Sequence, residues 1–520
     1  MPPLPQKTPV AVIGCGAMGT GIAQIAAAAG HPVLLYDSRE RAARLTVENL
    51  SETTARLVQK ARMQAPDREK LLAVLTPVEK FEELAQAGIA IEAIVEDLET
   101  KRAVFKELAK CIGTNAILAS NTSSLSITAL ASGIEHPERI CGMHFFNPAP
   151  LMPLVEVVSG LETSGAVAQT VFDTAAAWGK TPVMVRSTPG FIVNRVARPF
   201  YAEALRVFQE GGGDPATLDA VMRDCGGFRM GPFELMDLIG HDVNFAVTRS
   251  VHTAYFGDPR FAPSVLQQEM VEAGWLGRKT GKGFYDYTPG ATRAEPATAS
   301  HCPAPRTISS HGTLGAAQAV ILLLERTGLK FEKRDTSGEE SYFLLDGEIQ
   351  LALSDGRSAT ERAARMQCKD LVVFDLALDF LKTPRIAIAA SEASSPVALA
   401  AACGFFQALG KSVSVLQDLP GLIVLRTVAM LANEAAETVL HGVAAPEAID
   451  TAMRKGTNYP LGPLAWADRV GPRFILHVLE SLMNTYGEDR YRPSSLLRRT
   501  VARNGRLSGK NEIAVSNSSL

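Results

Sequence analysis

The chain has 520 residues, 46% of them hydrophobic and 21% charged, with 52 Lys+Arg set against 55 Asp+Glu for a net charge of -3. That is enough for about three or four domains at roughly 150 residues each. The balance of charge leaves no basic footprint for nucleic acid or an anionic membrane, and no apolar run reaches the length of a membrane span. The seven cysteines are scattered, with no CxxC pair and no Cys/His cluster at zinc spacing, so reduced thiols, no metal and a cytoplasmic location are expected.

The N-terminus carries Pro2, Pro3 and Pro5 and then enters an apolar run, which argues against a secretory signal. Pro9 to Ile13 reads as a strand and Ala17 to Ala29 as an alanine-rich helix. Between them stands Gly14-Cys15-Gly16-Ala17-Met18-Gly19. Gly14 suits a tight turn, Gly16 lets the backbone approach a pyrophosphate, and Gly19 lets the helix pack close to the strand, with the phosphates on the helix N-terminus. A second strand, Pro32 to Tyr36, ends at Asp37. A carboxylate there accepts from a ribose 2′-hydroxyl and repels a 2′-phosphate, so NAD is expected over NADP; Arg39 nearby works against that preference. Strand, fingerprint, helix, strand and acid in this order specify a dinucleotide site far better than glycines alone.

Further along, His144 is followed twelve residues later by Glu156 and preceded by Ser123. A histidine beside a strand is most often an ordinary core residue. With a nucleotide site upstream to supply a second reactant, the pair reads as a proton-transfer device: imidazole titrates near neutral pH, and a carboxylate orients the ring and stabilises the imidazolium. No activated nucleophile is marked, and Ser124 is a poor candidate for one.

Ala166 to Trp178 reads as a helix, and from Pro189 the pattern is helical for about a hundred residues. Thr288 to Thr307 is rich in Pro, Ala and Thr and reads as a linker. Residues 308–405 have some α/β character: an apolar helix around Ala316 to Leu324, a strand around Leu329 to Glu332, and the run Leu371 to Asp375. His311-Gly312-Thr313-Leu314-Gly315 keeps two glycines but not the fingerprint, so a structural remnant is expected rather than a second NAD site. Beyond it the chain repeats itself. A shift of 231 maps Pro189-Gly190 to Pro420-Gly421, Arg195 to Arg426, Gly231-Pro232 to Gly462-Pro463 and Asp237 to Asp468, whereas Asn194 falls on Leu425. An ungapped match of this length indicates a duplicated helical domain whose second copy has lost its polar chemistry. The last residues, Ser518-Ser519-Leu520, lack the basic middle residue of a peroxisomal signal and are set aside.

Five blocks then carry a resemblance. They are Asn121-Thr122-Ser123-Ser124-Leu125, His144-Phe145-Phe146-Asn147-Pro148, Thr188 to Arg195, Met230 to Leu235, and Gly281-Lys282-Gly283-Phe284-Tyr285. In that order they resemble the 3-hydroxyacyl-CoA dehydrogenases, in the long bacterial form with a duplicated C-terminal domain. The similarity covers about residues 7–287 closely and continues more loosely to the C-terminus. It implies NAD-dependent oxidation of a (3S)-3-hydroxyacyl-CoA to the 3-oxoacyl-CoA, with 3-hydroxybutyryl-CoA or 3-hydroxyadipyl-CoA as substrate, in fatty acid β-oxidation or aromatic catabolism. It also implies site roles. His144 is the general base, Glu156 its partner, Ser123 the hydroxyl on the substrate oxygen, and Asn194 the amide that positions substrate and nicotinamide. Glu96, Lys101, Asn147 and Lys279 are implied cofactor contacts, with Gly14, Gly16, Ala17, Met18, Gly19 and Asp37. Thr53, where relatives have serine, and Lys60 are implied CoA contacts, although Lys60 also suits a solvated helix face. Gly88 replaces an aspartate common in relatives, at a strand entrance away from the chemistry.

The expected fold is therefore an α/β Rossmann-type N-terminal domain followed by all-α domains, the helical domain duplicated with a degenerate α/β segment between the copies. The expected boundaries are 1–186 for the NAD-binding domain, 187–287 for the first helical copy, 288–307 for the linker, 308–405 for the degenerate segment and 406–520 for the second, non-catalytic copy. The two copies are expected to pack as an intrachain pseudo-dimer, with a homo-oligomer left open. Two other readings stand beside this one. A dehydrogenase of another, free β-hydroxy acid would want an arginine clamp and no Lys60. A non-catalytic binding protein would be expected to lack one of Ser123, His144, Glu156 and Asn194, and all four are present.

Overall fold

Val10–Ile13 (β1) is buried along its whole length, the pattern of a parallel strand covered on both faces. This computed structural model describes residues 2–334 and 340–509; the tripeptide Ser518 to Leu520 lies outside them. After β1 come α1 (Ala17–Ala28), β2 (Val33–Tyr36), α2 (Ala42–Gln59), α3 (Ala65–Ala73), β3 (Leu75–Pro77), β4 (Ile89–Glu92) and α4 (Leu98–Cys111). Then follow β5 (Ile117–Ser120), α5 (Ile127–Ala131), β6 (Ile140–Phe145), β7 (Leu154–Ser159), α6 (Gly165–Ala177) and β8 (Thr181–Arg186). These strands form one eight-stranded sheet in the order β3-β2-β1-β4-β5-β6-β7-β8. Every pair is parallel except β6 with β7. The order reverses between β1 and β4, which opens a crevice at the carboxyl ends of the strands, the place where such sheets bind ligands.

The chain divides into two compact units. The first contains the residues up to Arg195 together with His441–Thr457. That late segment holds helix α17 (Pro446–Gly456), which packs on β7 and β8. The packing is close because Gly456 has no side chain: a Cβ there would stand 2.6 Å from Leu154 and 3.1 Å from Val193. The sequence assigned this helix to the second copy and held no sign that it returns to the first sheet.

After α7 (Val193–Val196), the second unit carries the first helical copy: α8 (Arg198–Gln209), α9 (Pro215–Asp224), α10 (Pro232–Ile239), α11 (His241–Ala254) and α12 (Val265–Glu272). Its sheet region contains β9 (Ile308–His311), α13 (Gln318–Thr327), β10 (Glu332–Arg334), β11 (Tyr342–Leu345), β12 (Ile349–Leu353) and α14 (Ala359–Met366). It continues with β13 (Leu371–Phe374), β14 (Arg385–Ala390), α15 (Pro396–Ala408) and β15 (Ser412–Val415). The later copy adds α16 (Val424–Leu440), α18 (Pro463–Val470), α19 (Pro472–Tyr486) and α20 (Ser495–Ala502). The sheet is seven-stranded, in the order β10-β9-β11-β12-β13-β14-β15. Its last strand pairs with β14 through Val415, so the sheet runs past the expected end at 405. The strand expected at Leu329 to Glu332 is instead Glu332–Arg334, an exposed edge strand.

The shift of 231 reaches further back than the helices. It carries Leu154–Ser159 onto Arg385–Ala390 and Gly165–Ala177 onto Pro396–Ala408, the bounds of β7 and β14 and of α6 and α15. The antiparallel pairing of β6 with β7 recurs between β13 and β14. Residues 288–307 contain no helix or strand, but they are tied down rather than a free tether. Ala297 N donates to Thr217 at 2.8 Å, Ala299 N to the Val413 carbonyl at 2.8 Å, and Cys302 N to Gln407 at 2.8 Å. Among the described residues no helix is long and apolar enough to cross a membrane.

Candidate active site

The glycine fingerprint is sterically required. Gly14 has φ +103°, and a Cβ there would meet the Ala93 carbonyl at 2.6 Å; a Cβ on Gly19 would meet the Gly14 carbonyl at 1.8 Å. At Gly16 nothing lies within 4 Å of that position, and Gly16 and Ala17 are exposed with Met18 half-buried. The first turn of α1 has no side-chain cap, so its amides face open space, as a pyrophosphate site requires. Asp37 ends β2 and accepts from Cys15 N at 2.7 Å, which ties the acid to the fingerprint turn. Arg39 also holds it, through Nε and Nη2 at 2.9 Å each. That side-chain pairing brings the carboxyl down to about 2. A groove of about 290 Å³ lies alongside, lined by Tyr36, Asp37, Arg39 and Val78. These residues fit the adenosine end of NAD.

Glu96 organises the next part. Its Oε1 accepts from Thr122 Oγ1 at 2.7 Å, Ser123 N at 2.9 Å, Ser123 Oγ at 3.2 Å and Ser124 N at 3.1 Å. Burial pushes this carboxyl up, but the donors of the serine loop and the Lys101 ammonium hold it below its ordinary value. Lys101 is buried, 2.6 Å from Glu92 and 3.3 Å from Glu96. It is expected to line the cofactor's nicotinamide end, and its ammonium pairs with both acids beside the serine loop. Glu92 also accepts from Ser120 at 2.7 Å. The sequence reading missed Glu92, because a carboxylate at the end of an apolar strand gives no sign of which loop it will support.

The dyad forms across β6 and β7, where the antiparallel register sets His144 opposite Glu156. His144 Nδ1 lies 2.7 Å from Glu156 Oε2. An ionised carboxylate has no proton to donate, so Nδ1 carries the hydrogen and Nε2 is left as the acceptor. The Phe146 ring, centred 4.5 Å away, and the Phe191 ring, at 5.8 Å, flank the imidazole. The other Glu156 oxygen accepts from Ile192 N at 3.0 Å and Val193 N at 3.1 Å. One buried carboxylate therefore fixes both the histidine ring and the start of the short helix α7. That helix carries Asn194, whose Nδ2 reaches the Ser123 carbonyl at 3.3 Å. Asn121 Oδ1 accepts from Phe145 N at 2.9 Å and joins the serine loop to the histidine strand. Ser123, His144, Glu156 and Asn194 are thus brought together by direct or shared hydrogen bonds.

The remaining expected positions are more peripheral. Asn147 is exposed just past β6, and Thr53 and Lys60 are exposed on α2 and at its C-terminal end. Seven residues apart, Thr53 and Lys60 share a helix face; Arg56, three past Thr53, sits on the same face with its guanidinium 3.4 Å from the threonine hydroxyl. The sequence reading missed Arg56. Lys279 belongs to the second unit, where its ammonium pairs with Asp242 at 2.7 Å. One supporting contact comes from far along the chain: the guanidinium of Arg195, next to Asn194, meets His441 Nδ1 at 3.2 Å.

A nucleotide crevice with a buried His–Glu pair at the end of the same sheet is the architecture of an NAD-dependent oxidoreductase. The family profile described as 3-hydroxyacyl-CoA dehydrogenase, NAD binding domain, matches residues 9–188. The C-terminal domain profile of the same family matches twice, at 190–287 and 421–516. A reduced Rossmann-fold profile of 3-hydroxybutyryl-CoA dehydrogenase matches 351–420. The chain is 43% identical over 489 residues to the 3-hydroxyadipyl-CoA dehydrogenase of Escherichia coli (strain K12), covering 94% of this chain and 96% of that one. It is 38% identical over 284 residues to the human mitochondrial hydroxyacyl-coenzyme A dehydrogenase, covering 54% and 90%. The crystal structure of 3-hydroxybutyryl-CoA dehydrogenase from Escherichia coli K12 superposes with a TM-score of 0.87 at 42% identity, covering 96% of this chain and 99% of that chain. The chain belongs to the 3-hydroxyacyl-CoA dehydrogenase family. It is an NAD-dependent oxidoreductase acting on 3-hydroxyacyl-CoA.

Proposed function

We propose that the chain oxidises short (3S)-3-hydroxyacyl-CoA thioesters, 3-hydroxybutyryl-CoA or 3-hydroxyadipyl-CoA, with His144 as the general base. The observation that carries this is the 2.7 Å contact between His144 Nδ1 and Glu156, which leaves Nε2 free to take the C3 hydroxyl proton. Glu156 stabilises the imidazolium that results. Ser123 and Asn194 hold the substrate oxygen and thioester so that C3 faces the nicotinamide, which is an orientation effect. NAD, when bound, accepts the hydride. The backbone amides at the start of α1, from Gly16 on, with Asp37, would hold its pyrophosphate and ribose, while Glu96, Lys101, Asn147 and Lys279 would contribute at other points of the cofactor. Thr53, Arg56 and Lys60 offer a hydroxyl and two cations on one face of α2 for the CoA phosphates. A cytoplasmic role in β-oxidation or aromatic catabolism fits this chemistry. A chain-length series of 3-hydroxyacyl-CoA thioesters, followed by NADH absorbance, tests the reading. The highest kcat/KM is expected at four to six carbons, and a maximum at long chains or on free hydroxy acids overturns it.

We further infer that the two helical copies form a pseudo-twofold pair within one chain, with a domain order close to the one expected from the sequence. Reciprocal ion pairs support this. Arg260 of the first copy stands 3.6 Å from Glu434 of the second, and Arg490 of the second stands 4.0 Å from Glu203 of the first. Equivalent partners exchanged in both directions are the signature of an isologous interface. Arg426 is fully buried and bonds Glu203 at 2.6 Å and Tyr491 at 2.7 Å. A chain cut after Tyr287 is expected to expose the apolar face and to dimerise, aggregate or lose stability. A cut chain that stays monomeric with unchanged Tm and full activity sinks the idea.

A further inference from the structure

The second sheet retains a crevice at the edge that corresponds to the first sheet's site. Strands β9, β12 and β13 run in one direction, since β11 is antiparallel to both β9 and β12 while β12 and β13 are parallel. A cavity of about 570 Å³ opens at their carboxyl ends. It is bordered by the loop Thr313–Ala317 after β9, the loop after β12 and the first turns of α19. In α/β sheets this is where ligands bind, and the volume is that of a small-molecule site.

Strand register aligns its lining with the active-site loop. Leu118 pairs with Ile140 in the first sheet, and Gln350 pairs with Leu371 in the second. Counting forward, Ser123 corresponds to Asp355 and the helix-capping Ser126 to Ser358, which also caps its helix. The loop has changed its chemistry. Asp355 and Glu340 are held by Arg357 and Arg362, with Arg357 bonding Glu340 at 2.8 Å and Arg362 bonding it at 2.8 Å. Arg362 also donates to the Leu353 carbonyl at 2.7 Å. Two further arginines of the lining, Arg365 on α14 and Arg473 on α19, make no ion pair among the described residues, and His477 stands 4.0 Å from Asp355. Among the described residues of the lining, four guanidiniums thus meet two carboxylates, leaving two guanidiniums and an imidazole at the rim. The floor is apolar, built from Leu314, Phe343, Leu351 and Phe374.

We propose that this cavity is a second ligand site, for a small organic oxyanion: a phosphate or carboxylate on a flat apolar body. Buried Arg357 and Arg362 are fixed by Glu340 and Asp355 and give the site a rigid wall. Arg365 and Arg473 supply the forked donors that bind oxyanions in two-point fashion. The apolar floor takes the body. An intact dinucleotide is disfavoured, because the loop after β9 keeps only Gly312 and Gly315 of the fingerprint.

The full-length protein, saturated with NAD to fill the first site, is titrated calorimetrically with AMP, with phenylacetate and with sulfate. Saturable binding of AMP or phenylacetate is expected, at least tenfold tighter than sulfate, and the stronger of the two identifies the head group. The double variant Arg365→Ala/Arg473→Ala replaces two exposed side chains and is expected to fold. It should weaken that binding at least tenfold while NADH formation under saturating substrate stays unchanged. Phe474→Ala, in the cavity wall, should weaken the organic probes and not sulfate. The proposal is overturned if neither organic probe binds, if sulfate binds as tightly as they do (an adventitious ion only), or if binding survives the double variant.

Discussion

The ends of the two sheets solve one structural problem with different residues. In the first, a carboxylate on β7, Glu156, accepts from Ile192 N and Val193 N and anchors the turn into α7. In the second, the position equivalent to Glu156 is Ala387, and the anchor is Asp375, at the place of His144. Asp375 accepts from Ile423 N, Val424 N and Leu425 N at 2.8 to 3.0 Å. Both copies thus keep a buried carboxylate under the start of the helical domain. Only the first places that carboxylate one strand away, so that a histidine can stand beside it. The helices differ in the same sense. Pro199 has no N–H to donate to the turn before it, so α7 and α8 are separate in the first copy. The equivalent residue is Met430, and α16 runs unbroken from Val424 to Leu440. The break presents Asn194 on a short helix of its own; the unbroken helix carries Leu425 fully buried.

The largest expected effect separates the two carboxylates. His144→Gln should lower kcat by roughly two to four orders of magnitude with little change in KM, as for other positioned bases. Glu156→Gln should lose a substantial part of the rate and keep the fold. Asp375→Asn should leave kcat unchanged and alter stability instead. Burial pushes Asp375 up to about 6, against the hydrogen bonds of its backbone donors. Its ordinary value is about 3.9, so the unfolded chain releases this proton first, and stability falls as pH rises between about 4 and 6. Tm measured across that window should fall more steeply in the wild type than in Asp375→Asn. Equal slopes, or a loss of turnover in the Asp375 variant, would remove the distinction between anchor and catalyst.

Next in size is the buried pair that joins the copies. Arg426→Leu leaves Glu203 buried without its closest cation, a change that costs about 3–5 kcal/mol. Burial pushes Glu203 up, and Arg426 and Arg490 pull it below its ordinary value, so the carboxylate is charged in the intact pair and loss of Arg426 leaves the burial less opposed. A large fall in Tm is expected, partly recovered by Glu203→Leu in the same chain. A variant that melts with the wild type would show that the copies do not depend on this contact.

Pro199→Met places the second copy's residue in the first. If the proline is what keeps α7 separate, the helices should fuse and Asn194 should move. A displacement of about 1 Å can cost up to a hundredfold in rate, so kcat should fall by about ten- to a hundredfold, with a smaller change in KM for NAD, whose pyrophosphate and ribose are held by the fingerprint and Asp37. Unaltered kcat assigns the break to something other than the proline.

How much of this was legible in the sequence depends on the range of the interactions. The fingerprint, Asp37 and the His144–Glu156 spacing are local patterns, and β1, α1 and β2 fall within a residue or two of where periodicity put them. The extent of the duplication was not legible, because β13 to β15 keep their pairings while Asp375 and Ala387 hide the correspondence. The burial of Lys101 between Glu92 and Glu96 depends on two acids from different elements. The return of α17 to the first sheet depends on an absent side chain, at Gly456, which no periodicity reports.

The smallest expected effect concerns the cofactor and compares Asp37 with its neighbour. The carboxylate accepts from Cys15 N as well as from Arg39, so it both shapes the fingerprint turn and faces the ribose groove. Arg39 is 70% exposed at its side chain, so solvent and salt screen its charge. Removing the arginine should therefore shift the NAD to NADP preference by only about two- to fivefold, in favour of NAD, because a cation near a 2′-phosphate is gone. Asp37→Ala removes hydrogen bonds worth about 1 kcal/mol each and should raise KM for NAD by about five- to tenfold, bringing NADP closer. Because Arg39 holds the Asp37 carboxyl at about 2, it is ionised throughout the working range, and the preference should be flat above about pH 7, where the 2′-phosphate, with its second pKa of about 6, is fully charged. Steady-state kcat/KM with both cofactors at several pH values decides it. Equal or better turnover with NADP in the wild type would mean that Arg39, not Asp37, sets the selectivity, and a preference that titrates above about pH 7, beyond the 2′-phosphate's own titration, would mean that another group does.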